Sequence, residues 1–240
     1  MSVEISMAPE PNASILTDLS TSSCDYLTAI WKAGEWAAAK VTTSTVADQL
    51  GVAPSTASAG LRRLAERGLV IHERYGSVQL TALGTTVALA VIRRQRLFET
   101  FLVRELGYGW HEVHDDAVAL AHAASDRAVD HIDARLGHPT RDPHGDPIPD
   151  AHGVLPPLEL TRLAECSVGD VGVIARIDDS DPDMLEYFDQ VDLNLDAVVT
   201  VGVMRPFAGT MSISTLEGST DIVLGDVAAR SIWITRRDHP

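Results

Sequence analysis

The sequence predicts a mainly α-helical protein with a small β domain: a winged helix-turn-helix, a helical dimerisation segment, and a C-terminal SH3-like small β-barrel. Three observations predict it. In residues 42–84, two short helical patterns are joined by a turn at Gly51, a sharp stop falls at Gly68, and two strand-like runs follow with Gly76 between them. From 85 to 136, apolar residues recur at helical spacing. Beyond Cys166 the texture changes to short β-rich runs.

Residues 1–20 are polar, Pro-containing and aperiodic, and read as disordered. Residues 21–84 are assigned to the winged-helix domain. Its first helix covers 25–32, with Tyr26, Leu27, Ile30 and Trp31 as the apolar face. The second helix of the helix-turn-helix opens at Pro54, which suits a first turn. In such a unit this helix enters the DNA major groove. Ser55, Thr56, Ser58 and Ala59 are its early exposed positions; small side chains let the backbone approach, and hydroxyls bond phosphates or base edges. Arg62 and Arg63 lie a turn further on and suit phosphates, while Arg74 and Tyr75 sit at the tip of a wing formed by runs 69–75 and 77–81. The competing role for each arginine is a surface salt bridge with Glu66 or Glu73. Few long side chains are placed to contact bases, so shape readout contributes.

Residues 85–150 hold one helix over 85–106, a break at Gly107-Tyr108-Gly109, and a second helix over 112–136 stopped by Gly137. This pair is the expected homodimer interface, because sequence-specific binders present two heads to two half-sites. Residues 138–157 are dense in Pro, Gly and Asp, an ordered loop running into a linker assigned to 151–167. The β domain, 168–236, has runs at 171–177, 198–204, 209–214, 222–224 and 232–234, with a helical turn or two at 184–189.

With 240 residues the chain has room for two or three small domains. No apolar run reaches the roughly 20 residues that span a bilayer, and the N-terminus lacks a basic secretory region. No membrane partner is expected. The two cysteines, Cys24 and Cys166, cannot build a disulfide framework, which fits a reducing cytoplasm; both read as inert. The net charge of −15 is uneven: residues 42–84 hold four arginines against three acids, and 137–196 hold three against fourteen. Phosphate contacts need only local cations, so an acidic body with a near-neutral reading head is compatible with specific DNA binding and weak non-specific binding. No Gly-rich phosphate loop, nucleophile motif or catalytic carboxylate pair stands out, which argues against an enzyme.

Six motifs carry a family resemblance. They are Asp25-Tyr-Leu-Thr-Ala-Ile30, Ala65-Glu-Arg-Gly-Leu-Val70, Arg93-Arg-Gln-Arg-Leu-Phe-Glu99, Val113-His-Asp-Asp-Ala117, His122-Ala-Ala-Ser-Asp126 and Asp142-Pro-His-Gly-Asp-Pro-Ile-Pro149. Their order resembles the diphtheria-toxin-repressor family over about residues 22–235. The resemblance implies a metal-dependent repressor that binds double-stranded operator DNA as a homodimer. Aspartate at position 25, where iron-type members have methionine, resembles the manganese branch, because hard oxygen ligands suit Mn2+. Fe2+ or another divalent ion is the alternative.

The resemblance also implies two metal positions. Asp25 and His122 match two ligands of one; its other two side-chain positions fall on Val118 and Ala121, which carry no donor. Glu99 and His114 match the second, where Gln95 replaces a usual histidine, and where the β domain would supply oxygens from near Asp179 or Asp181. On one helix, His114 and His122 lie about 12 Å apart along the axis, too far to share an ion. The expectation is an altered or impaired metal sensor with weakened Mn2+ binding. Substitute donors such as His111, Asp115, Asp116 or Asp126 are one way out of it. A solvated acidic turn is the plainer reading of Asp178, Asp179 and Asp181, and a rigid Pro/Gly brace is the plainer reading of the loop around His144. The rival function is a metal-independent winged-helix regulator that answers to a small molecule or a protein partner.

Overall fold

The computed structural model describes residues 19–36, 40–72, 76–215 and 221–236. Helix α1 (Thr21–Glu35) starts where the Ser20 hydroxyl accepts the Ser23 N–H, three residues before the apolar face begins. Helix α2 (Thr43–Gln49) is capped the same way by Thr42, which accepts from the Thr45 N–H. Helix α3 (Pro54–Glu66) has no side-chain cap and relies on its proline. Strands β1 (Val70–His72) and β2 (Val78–Leu80) form the antiparallel wing, with Ile71 opposite Gln79. The wing tip, including Arg74 and Tyr75, lies outside the described residues.

Leu27 and Ile30 of α1 pack with Val46, Ala57, Leu61, Leu64, Leu69 and Val78 in one apolar core. Each fully buried leucine or isoleucine contributes about 1.5–3 kcal/mol. Gly60 permits the close approach of α1 to α3: a Cβ there would lie 2.5 Å from the Tyr26 ring. The Tyr26 hydroxyl completes the contact by donating to the Thr56 carbonyl at 3.1 Å.

Helix α4 (Ala82–Leu106) begins three residues earlier than expected, because the Thr81 hydroxyl accepts the Gly84 N–H at 3.0 Å and caps it. The second expected helix is two helices, α5 (His114–Ala123) and α6 (Asp126–Leu136). At the break, the Ser125 hydroxyl accepts the Ala128 N–H and Arg94 takes the Ala124 carbonyl, so a new N-cap displaces helical continuation. Helix α5 starts late because the Glu112 carboxylate accepts the Gly109 N–H and holds the preceding turn.

The β domain is a six-stranded antiparallel sheet in the order β3-β8-β4-β5-β6-β7. The strands are β3 (Thr161–Arg162), β4 (Val171–Ile177), β5 (Val198–Arg205), β6 (Thr210–Thr215), β7 (Ile222–Gly225) and β8 (Ile232–Arg236). Helix α7 (Pro182–Gln190) follows β4, and α8 (Asp226–Arg230) precedes β8. Strand β3 falls inside the segment expected to be linker, and neither β3 nor α8 was expected; both are too short to show periodicity. Ile174, Ile177, Leu185, Phe188, Val199, Ile213 and Ile234 form the core of this domain.

The chain forms two compact units. One comprises Met1–Arg94, Ala121–Ala128 and Pro149–Val154; the other comprises Gln95–Leu120, Val129–Ile148 and Leu155–Pro240. The first unit therefore runs past the expected winged-helix boundary at residue 84, and the second joins helical residues to the β domain. Among the described residues, no helix is long and apolar enough to cross a membrane.

Candidate metal centre and nucleic-acid interface

The Pro/Gly loop is a tight, buried structure in the second unit. The Asp142 carboxylate accepts the N–H groups of His144 and Asp146, each at 2.9 Å, an Asx-type turn. Gly145 has φ 90°, and a Cβ there would lie 2.0 Å from the Ala175 carbonyl, so only glycine lets the loop meet β4. The His144 carbonyl accepts the Ile177 N–H at 2.8 Å. Arg96 of α4 donates to the Pro147 carbonyl at 2.7 Å and lies within 3.8 Å of the Asp142 and Asp146 carboxylates. Arg176 of β4 pairs with Asp146 and lies over the Trp233 ring. The expected brace is present, built from buried charge as well as proline.

The brace turns His144 inward, leaving the residue 1% exposed. Its Nε2 bonds the Trp110 carbonyl at 2.8 Å and its ring stacks on Trp110. A carbonyl can only accept, so Nε2 carries a proton. The other nitrogen, Nδ1, is buried with no hydrogen-bond partner. It faces the Asp142 carboxylate at 4.0 Å. Burial opposes charge on this ring, but the Asp142, Asp179 and Glu99 carboxylates outweigh it and push the pKa up to about 10.

Among the described residues, His, Cys, Asp and Glu donors gather in threes at two overlapping places: Glu99 with His114 and Asp179, and Glu99 with Asp142 and His144. Within each set the donor atoms lie within 4.8 Å of one another. Glu99, from the buried face of α4, is common to both, and its carboxylate lies 3.0 Å from His114 Nδ1. Of the residues expected here, Glu99, His114 and Asp179 come together. Gln95 is buried one turn before Glu99 on the same helix. Asp181 does something else: its carboxylate accepts the N–H groups of Asp183 and Met184 and caps α7. Asp142 and His144 were missed as donors. Each set brings two carboxylates and one imidazole together, which fits a divalent ion that prefers oxygen with some nitrogen. The orphaned Nδ1 is the position such an ion, or a proton, would satisfy.

The other expected pair also meets, in the first unit. His122 Nε2 lies 3.0 Å from Asp25 Oδ1. Ala121 is buried and, like Val118, brings no donor atom. The Cys24 thiol is pushed up by burial and by Asp25. Among the described residues two side-chain donors meet here, and they bond each other, so the pair does not fit a metal.

On the reading head, Ser55, Thr56, Arg62 and Arg63 are exposed, and Ser58 and Ala59 are half-buried. The buried face of α3 is Ala57, Gly60, Leu61 and Leu64. A groove of about 730 Å3 is lined by Thr42, Thr43, Ser44, Ser58, Arg62 and His72 among others. The lining is hydroxyl, imidazole and guanidinium, suited to phosphate oxygens. His72 bonds the Thr43 hydroxyl at 3.2 Å. Thr43 and His72 were not anticipated, because the helix and strand that carry them meet only in three dimensions.

Comparison with known proteins agrees with this architecture. Residues 18–78 match the model of the iron-dependent repressor N-terminal DNA-binding domain, 81–150 match the iron-dependent repressor metal-binding and dimerisation domain, and 161–236 match the FeoA domain. The iron-dependent repressor IdeR of Mycobacterium tuberculosis is 33% identical over 139 residues, 55% of this chain and 60% of that protein. The diphtheria toxin repressor of Corynebacterium diphtheriae is 35% identical over 104 residues, 43% of this chain and 46% of that protein. The match thus spans about 60% or less of these curated relatives. Solved structures match over more of their length. A manganese-dependent transcriptional repressor in complex with manganese is 49% identical, with a TM-score of 0.86, over 90% of this chain and 100% of that one. The manganese regulator SloR is 27% identical, with a TM-score of 0.75, over 90% of this chain and 98% of that one. The chain belongs to the diphtheria-toxin-repressor family of iron-dependent repressors, on its manganese-type branch.

Proposed function

We propose that this protein is a manganese-responsive transcriptional repressor that binds operator DNA as a homodimer and has an altered metal sensor. One centre, formed by Glu99, His114, Asp142, His144 and Asp179, carries the metal response; Asp25 and His122 do not. The observation that carries this reading is the buried His144 Nδ1, which makes no hydrogen bond and faces carboxylates. Buried polar atoms are rarely left unpaired without a reason. The matched family models and the manganese-bound neighbour support it.

A bound Mn2+ would supply positive charge among carboxylates that otherwise repel one another. The chain does the rest. Arg96 and Arg176 hold Asp142 and Asp146, the Asp142 turn aims His144, and Trp110 fixes the ring through Nε2. On the DNA side, Ser55, Thr56, Ser58 and Ala59 would face bases, with Arg62, Arg63, Arg74 and Tyr75 on the backbone. Fe2+ would meet the same donors.

Operator binding with Mn2+ and with chelator, at one fixed salt concentration, tests the proposal. Mn2+ should tighten binding about tenfold or more, a coupling of ordinary size. Glu99→Gln and His144→Ala should abolish that response. An unchanged response in both variants would place the sensor elsewhere.

A further inference from the structure

Asp25 and His122 are the residues a metal would need, yet they already bond each other. Three observations give that contact a role. His122 Nε2 and Asp25 Oδ1 lie 3.0 Å apart, with the histidine side chain 17% exposed. A second contact runs beside it: Arg94 of α4 donates to the Ala124 carbonyl at 2.8 Å and pairs with Asp126. The next residue after Asp25, Tyr26, is tied to the recognition helix by its hydroxyl bond to Thr56 and its ring against Gly60. So one turn of α1 faces α3 with one residue and His122 with its neighbour. An ion entering here would have to break the Asp25–His122 bond and would find no third side-chain donor at Ala121.

We infer that Asp25 and His122 form a metal-free clasp that holds α1, and through it the recognition helix, to the segment Ala121–Ala128. Both are positioning residues. The clasp keeps the reading head assembled when no metal is bound, so the metal response is left to the Glu99 centre. The part of this inference that concerns DNA rests on the repressor reading; the clasp itself does not.

The test is amide hydrogen exchange across α1 in the full-length protein, with chelator and then with Mn2+. Asp25→Ala and His122→Ala should each speed exchange in Thr21–Glu35 roughly tenfold or more, as loss of a charge-assisted hydrogen bond predicts. The exchanged pair, Asp25→His with His122→Asp, should restore protection to within about threefold, because the contact is kept with its partners reversed. Mn2+ should leave α1 exchange in the parent unchanged. Operator affinity measured in chelator should fall in the single variants and recover in the exchanged pair. Single variants that exchange like the parent, or an exchanged pair that stays unprotected, would overturn the clasp. So would slowing by Mn2+ that disappears in Asp25→Ala, which would make the pair a metal site. A parent that binds no operator under any condition would sink the repressor reading, while the exchange data would still decide the clasp.

Discussion

At the scale of single residues, His144 concentrates the chemistry. Its raised pKa means that a proton occupies Nδ1 at neutral pH in the metal-free protein. A divalent ion must displace that proton. Mn2+ titrations at pH 7.5 in buffers of different ionisation enthalpy should therefore report release of about one proton per ion from this residue; a buffer-independent heat would contradict the account. The same shift sets a stability profile. A folded pKa above the unfolded value stabilises fully below about 6.5, and the contribution is lost as pH rises through about 10. Chemical denaturation of the metal-free protein from pH 6 to 10 should show stability declining over that window, and His144→Ala should flatten it. Arg176 gives a second prediction. It is 3% exposed and paired with Asp146, so Arg176→Ala removes the closer of two guanidinium groups beside a buried carboxylate, leaves Arg96 as its partner, and should cost about 3 kcal/mol in a urea titration. Glu99 and His114 were offered by motif position, and Asp179 only as the lesser reading of an acidic turn. His144 and Asp142 were read as part of a rigid Pro/Gly brace, because only long-range contacts with α4 and β4 turn their donors inward.

At the scale of elements, periodicity marked α1, α3 and α4 well, because each buries one apolar stripe. It failed where one polar side chain decided the outcome. Ser125 broke an expected single helix, and Thr81 and Ser20 moved two helix starts upstream. Those caps are visible in the sequence, but serines and threonines are common, and the packing that selects one is not. The reading helix carries its own prediction. Arg62 and Arg63 are exposed, outside the buried face of α3. Arg62→Glu and Arg63→Glu should each weaken operator binding and reduce the log–log salt slope by about one unit, without changing thermal stability. Binding and slopes equal to the parent would remove α3 from the interface. Gly60→Val is the opposite control. The added side chain meets the Tyr26 ring, so it should destabilise by about 1–3 kcal/mol or more and weaken DNA binding only through folding.

At the scale of the whole molecule, the sequence-derived order of winged helix, helices and β domain matches three consecutive family models. The compact units were not legible, since Ala121–Ala128 and Pro149–Val154 join the first unit by contacts far apart in the chain. Dimerisation through the helical segment is expected to involve its exposed apolar residues, Leu106 at 58% and Leu120 at 40% exposure. Leu106→Glu with Leu120→Glu should sediment as a monomer while folding normally; an unchanged dimer would move the interface elsewhere. The central claim is that one buried centre, and not two, answers to manganese. Isothermal calorimetry of the full-length protein with Mn2+ tests it most directly. The account predicts one ion per chain, lost in Glu99→Gln and in His144→Ala and retained in Asp25→Ala. Two ions per chain, one of them lost in Asp25→Ala, would contradict it.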